Sequence, residues 1–315
     1  MITFLTSPKP FYGHTGRIQK KAIQSWLRVA ADVEVLVYGE GEGVAEACKD
    51  LGTINVPDIE CSLSGIPLFN SIVNHAKKNA KHDIQCYLNC DILLNETIAD
   101  AVKIITKAKL NEFLVTGQRI DLMKDVDFEL NQHWLGQLKQ LFETCKLQLH
   151  SPTGMDYFIF RRGMWNDLPA LVIGRAGYDE ALVLYCMRNK IPIINGTLKI
   201  LALHQFHDYG HTSNGRKEVV RGQDALNNFK FHRNFHSRPN SSDAELIIMK
   251  DKVLKNNIHK DPIRRAENYL RFEKGFERLS LSIRFLWRIL VSIGFLKMKS
   301  FKISELIANK YVENE

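Results

Sequence analysis

Along the first two hundred residues, short apolar runs rich in Val, Ile, Leu and Phe alternate with longer stretches whose apolar positions recur every three or four residues. The first pattern predicts strands and the second amphipathic helices. Strands are predicted over residues 2–6, 33–38, 53–56, 85–88, 113–116, 157–160, 191–194 and 198–203. Helices are predicted over residues 16–28, where Ile18, Ala22, Ile23, Trp26 and Leu27 share a face, and over 44–51, 68–79, 98–108, 133–145 and 178–188. Strands and helices alternating in this way build βαβ units around a mostly parallel sheet. The predicted fold class is α/β, a Rossmann-like sheet flanked by helices.

From Gly215 onward the composition shifts to Asn, Arg, Lys and His without clear strands, and it becomes basic and helical after Pro262. This divides the chain into a domain over residues 1–214 and a mostly helical C-terminal extension over 215–315. The formal net charge of +8 is concentrated late: residues 271–302 hold eight basic side chains against Glu273 and Glu277. Such a patch calls for an anionic partner, a membrane surface or a nucleic acid. Residues 281–296 are rich in Phe, Trp, Leu and Ile, with Arg284, Arg288 and Ser292 four apart in a narrow polar stripe. That stripe interrupts the apolar run too early for a bilayer span and suits a helix lying in the interface of an anionic membrane. The opening MITFLTSPKPF lacks the length and the basic flank of a secretory signal, and the six cysteines are scattered with no CxxC pair. The expected location is cytoplasmic, peripheral at the inner face of the cytoplasmic membrane.

Three constellations could carry chemistry. In YLNCDILL, Asn89 and Asp91 interrupt an apolar run at the end of a predicted strand, where open α/β sheets bind ligands. A carboxylate among apolar neighbours is costly unless compensated, and a divalent cation bridging nucleotide phosphates would compensate it; taken alone, the motif also suits a turn or helix cap. In HQFHDYGH, which follows the last predicted strand, His204, His207 and His211 fall within eight residues; imidazoles so spaced can ligate Mn²⁺ or Zn²⁺, whereas Mg²⁺ prefers oxygen. In GRAGYDE, Asp179 and Glu180 open an apolar helix. They could serve its dipole, but a sugar transfer that inverts the anomeric centre needs a carboxylate to take the acceptor's proton. Asp179 is the first candidate for that base and Asp156, entering a strand from SPTGMDYFIF, the second.

In this order the segments ITFLTSPKPF, VLVYGEGEGV, GIPLFNSI, YLNCDILL, VTGQRIDL, SPTGMDYFIF, VIGRAGYDEALV and LALHQFHDYGH resemble a bacterial and plant family of GT-A-type nucleotide-diphospho-sugar glycosyltransferases, over roughly residues 1–211. The resemblance implies a GT-A-like fold that moves a sugar from a nucleotide-sugar donor to a glycan or lipid-linked acceptor in cell-surface polysaccharide or glycolipid synthesis, with Mn²⁺ or Mg²⁺ as cofactor. It places Thr6, Ser7, Pro8, Gly39 and Glu40 against the nucleotide, and Asn89 and Asp91 in the family's DxD-like position. Asn stands where the first acidic residue is expected, so a single carboxylate remains and Asp91 becomes the principal metal ligand. The same resemblance implies that His204 or His207 completes the metal site, that Arg119 meets the diphosphate or the acceptor, and that Asp179 is the base. Competing readings are a metal-dependent hydrolase built on the histidines and a non-catalytic nucleotide- or glycan-binding protein. Nucleic-acid binding would rest on the basic tail alone, because no RRM, helix-turn-helix or zinc-finger pattern is present.

Overall fold

The strands Ile2–Thr6, Ile84–Leu88 and Leu114–Thr116 are buried along their whole length, as a sheet covered on both sides by helices requires. The computed structural model describes residues 1–125, 147–207, 215–232, 238–257 and 262–292. The chain opens with β1 (Ile2–Thr6), α1 (Gly13–Trp26), β2 (Val33–Tyr38), α2 (Val44–Leu51), β3 (Ile54–Val56), α3 (Phe69–Asn79) and β4 (Ile84–Leu88). There follow β5 (Ile92–Leu94), α4 (Thr97–Lys107), β6 (Leu114–Thr116), β7 (Ile120–Leu122), β8 (Leu147–Leu149) and β9 (Tyr157–Arg161). Next come α5 (Tyr178–Arg188), β10 (Ile193–Asn195), β11 (Ala202–His204), α6 (Gly215–Arg221) and α7 (Gln223–Lys230). The described chain ends with β12 (Leu246–Met249), β13 (Lys252–Lys255), α8 (Pro262–Asn268) and α9 (Glu277–Ser292). The helix predicted over residues 133–145 lies outside the described residues, as does His211.

The strands form two sheets. The larger has nine, in the order β13-β12-β10-β6-β9-β4-β1-β2-β3, and the smaller four, in the order β5-β11-β7-β8. In the larger sheet β1 pairs in parallel with β2 and β4, and β10 in parallel with β6 and β12. Among the described residues, only β9, between β4 and β6, and the edge strand β13 run antiparallel to their neighbours in that sheet. The fold is thus α/β with a large, mostly parallel sheet and helices on its faces. One core cluster packs Phe4, Trp26, Val35, Leu88 and Ile194, and another Phe69, Tyr87, Phe158, Phe160 and Tyr178.

Two features of this frame aim the site. Helix α1 grips β5: the Trp26 indole donates to the Ile92 carbonyl at 2.7 Å, and the Leu94 amide donates to the Ser25 hydroxyl at 3.0 Å. The chain just after Asp91 is therefore tied to a fully buried tryptophan. Strand β11 sits between β5 and β7, with His204 paired opposite Ile92 on one side and Asp121 on the other.

Several elements differ from the sequence pattern. The strand predicted over residues 198–203 begins only at Ala202, because residues 197–199 form a turn. Strands β5, β7 and β8 are three residues each, too short for a period to show. Strands β12 and β13 lie in the region that composition described as strandless, yet β12 extends the central sheet alongside β10. Among the described residues no helix is long and apolar enough to cross a membrane.

Candidate functional site

Beyond Leu88 the chain turns sharply, with the Ile92 amide donating to the Asn89 carbonyl at 3.2 Å. This turn presents Asp91 at the carboxyl end of β4. From more than a hundred residues further along the chain, β11 delivers His204, and the chain continuing past it delivers His207. Asp91, His204 and His207 each offer a ligand atom, and the three atoms lie within 4.8 Å of one another. The His207 Nε2 is 3.1 Å and the His204 Nε2 3.6 Å from Asp91 Oδ2, with the ring centroids 5.0 Å apart. Gln205 locks this crossing: its backbone amide donates to the Asp91 carbonyl at 3.1 Å, and its side chain donates to the Ile18 carbonyl at 2.8 Å.

The electrostatics follow from burial and pairing. Burial alone would raise the Asp91 carboxyl, but the two imidazoles outweigh it and hold the group well below the usual carboxylate range. Burial would likewise lower His204, yet Asp91 and Asp121 lift it to about 9. The second oxygen, Asp91 Oδ1, is buried with no hydrogen-bond partner, which is costly for a carboxylate. One carboxylate and two imidazoles form a donor set that suits Mn²⁺ or Zn²⁺ better than Mg²⁺. The orphaned oxygen and the converging nitrogens fit a divalent cation held by Asp91, His204 and His207.

A chain of polar contacts runs on from His204. Its Nδ1 is 3.3 Å from Asp121 Oδ1; the Arg119 Nε donates to the same Asp121 oxygen at 2.7 Å and its Nη1 donates to Asp156 Oδ2 at 2.8 Å. The other Asp156 oxygen accepts from the Asn89 side-chain amide at 2.5 Å, and the Tyr178 hydroxyl donates to the Asn89 oxygen at 3.4 Å. Arg119 therefore engages two carboxylates inside the protein, one through Nε and one through Nη1. Asp156 has both oxygens engaged. Asp179 differs: burial first, and then the neighbouring Glu180 carboxylate, push its carboxyl up to about 8.

The other residues singled out in the sequence spread along the same rim. The Thr6 hydroxyl donates to the Leu88 carbonyl at 2.9 Å, stitching β1 to β4, and Ser7 and Pro8 follow half-buried. Gly39, at φ +114, and the exposed Glu40 close β2, two strands from Asn89. Asp179 stands at the start of α5 behind Gly177, which has φ +90 and would bring any Cβ to 3.1 Å from the Phe229 ring. Asn228, on α7, pins this loop by accepting from the Val172 amide at 2.8 Å and donating to its carbonyl at 2.9 Å.

Two residues were not recognised in the sequence. Asp121 carries a signal only in hindsight, as the polar member of the buried-intermediate-buried triplet Ile120-Asp121-Leu122. Lys9 follows Pro8 in the loop after β1, where the buried Gln19 amide holds its backbone by bonds of 2.7 and 2.9 Å. Burial lowers its ammonium, and its charged neighbours are Asp91 and Arg175. A lone lysine in a Pro-Lys-Pro loop gives no pattern to read.

No family model matches the sequence, and neither does any curated protein. In structure the chain is similar to residues 1–349 of S. aureus TarS in complex with UDP, with 14% identity, a TM-score of 0.30, and coverage of 41% of this chain and 38% of that one. It is also similar to M. tuberculosis glucosyl-3-phosphoglycerate synthase, with 13% identity, a TM-score of 0.43, and coverage of 73% of this chain and 80% of that one. The same enzyme in complex with Mn²⁺, UDP and phosphoglyceric acid gives 14% identity, a TM-score of 0.38, and coverage of 66% and 71%. The chain thus spans less than half the length of the TarS chain it matches.

Proposed function

We propose that this protein is a metal-assisted glycosyltransferase of the GT-A type that transfers a sugar from a nucleotide-diphosphate donor to a glycan or lipid-linked acceptor. The observation that carries the reading is the convergence of Asp91, at the carboxyl end of β4, with His204 and His207 into one donor set at the sheet's ligand-binding edge. A divalent cation bound there supplies a counter-charge for the leaving diphosphate. The chain's own residues do the rest. Lys9 and Arg175 line the same rim with positive charge suited to phosphate oxygens. Ser7, Pro8, Gly39 and Glu40 border the nucleotide, with Thr6 buried behind them against the Leu88 carbonyl.

Asp179 serves as the base that takes the proton of the acceptor hydroxyl. A carboxyl pushed up to about 8 is matched to proton transfer near neutrality. Asp156, with both oxygens occupied, positions its neighbours instead. The acceptor is glycan- or lipid-linked and the protein docks on the cytoplasmic face of an anionic membrane through α9, whose Leu279, Phe285 and Leu286 stand exposed. This places the reaction in cell-surface polysaccharide or glycolipid synthesis.

The test is a thermal-shift screen of nucleotide sugars with and without Mn²⁺, since a ligand at a hundredfold its Kd stabilises the fold by about 2.7 kcal/mol. One nucleotide class is expected to raise Tm only with the metal, and Asp91→Ala to abolish that dependence without unfolding the protein. Stabilisation by metal with no response to any nucleotide sugar would favour a hydrolase using the same two-histidine, one-carboxylate set. A response unchanged in Asp91→Ala would reject the site.

A further inference from the structure

We infer that Arg119 and Asp121 are positioning residues of the cation site, with one guanidinium orienting both Asp91 and His204 through separate arms. The inference rests on the reading of Asp91, His204 and His207 as cation ligands.

The first arm concerns His204. For Nε2 to offer its lone pair to a cation, the ring proton must sit on Nδ1, and that proton needs an acceptor. Asp121 Oδ1 is 3.3 Å from Nδ1, while Nε2 faces Asp91. The placement is built into the backbone, because the parallel register of β7 and β11 sets His204 beside Asp121. With Ile120 and Leu122 buried, alternation along β7 turns Asp121 to the opposite face. The Arg119 Nε then fixes the carboxylate at 2.7 Å, two residues away on the same face.

The second arm concerns Asp91. The Arg119 Nη1 holds Asp156 at 2.8 Å, and Asp156 holds Asn89 twice: its Oδ1 accepts from the side-chain amide at 2.5 Å and its carbonyl from the backbone amide at 3.1 Å. Asn89 in turn closes the turn onto the Ile92 amide, which sets the direction of Asp91. Arg119 thus bonds both Asp121 and Asp156 with a single guanidinium.

Asparagine at position 121 keeps the shape but can turn an N–H toward Nδ1, which favours the tautomer carrying its proton on Nε2 and removes that nitrogen as a ligand. The experiment titrates the full-length protein with Mn²⁺ alone, by calorimetry, and counts imidazole nitrogens on bound Mn²⁺ from electron-spin-echo modulation. Asp121→Asn is expected to weaken Mn²⁺ binding by about 10- to 100-fold and to reduce the bound imidazoles from two to one. Arg119→Lys retains the charge but cannot span both carboxylates, and is expected to weaken Mn²⁺ several-fold, so it tests the inference even if Asp121→Asn does not fold. Folded Asp121→Asn or Arg119→Lys with parental affinity and two imidazoles would overturn it, while loss of binding in Asp91→Ala alone would leave the cation site standing. Parental Mn²⁺ binding in Asp91→Ala would remove the site and the inference together.

Discussion

Asp156 and Asp179 carry the same carboxyl under opposite constraints. Asp156 is held by Arg119 and Asn89, whereas Asp179 stands half-buried beside the Glu180 carboxylate and is pushed up to about 8. Because its folded pKa lies above the unfolded value near 3.8, the native state binds the extra proton between the two. The stabilisation that goes with it is complete below about pH 4 and is lost as pH rises through about 8. Asp179→Asn is therefore expected to match the parent's Tm at pH 4 and to exceed it by several degrees at pH 9, while lowering transfer by at least about 100-fold. Parallel Tm profiles for the two proteins would refute the shift, and undiminished transfer would refute the role. At this scale Asp91, His204 and His207 were legible in the sequence because each stands in a short polar group at the end of an apolar run. Asp121 and Lys9 were not, because their importance arises only when distant strands fix their neighbours. Arg119 was noticed for its charge, whereas its pairing with two carboxylates, 2 and 37 residues away along the chain, was not.

Elements with a full period were legible. Helix α5 and strands β1 and β2 match their predicted bounds, and α1, α3, α4 and β4 differ only at their ends. The three-residue strands β5, β7 and β8 were not, although two of them, β5 and β7, flank β11 and set the site's register. Strand β12 is Leu-Ile-Ile-Met inside a polar, basic region, too brief to outweigh that composition. Helix α9 lies at this scale too. It exposes Leu279, Phe285 and Leu286 to 51%, 69% and 55%, in a segment that also carries the basic excess. Changing all three to Ser removes apolar area that a membrane would bury but that the fold does not, so vesicle binding should suffer while Tm holds. Binding to vesicles of anionic phospholipid is expected to fall at least about tenfold; undiminished binding would eliminate docking through this helix.

Across the whole molecule, the proposed site lies where two sheets meet at one rim. The parallel strands β1, β2 and β4 bring the loops after Thr6, Tyr38 and Leu88 to a single edge, an arrangement that follows from the alternation of strands and helices. The smaller sheet then carries His204, and the chain just beyond it His207, to Asp91, more than a hundred residues earlier in the chain. That second step was not contained in any local pattern, since it depends on β11 inserting between β5 and β7. The most direct test is anomalous X-ray scattering at the manganese edge from crystals grown with Mn²⁺. The expected result is one peak within coordinating distance of Asp91 Oδ2 and the Nε2 atoms of His204 and His207; well-ordered crystals with that position empty and the metal bound elsewhere would contradict the account.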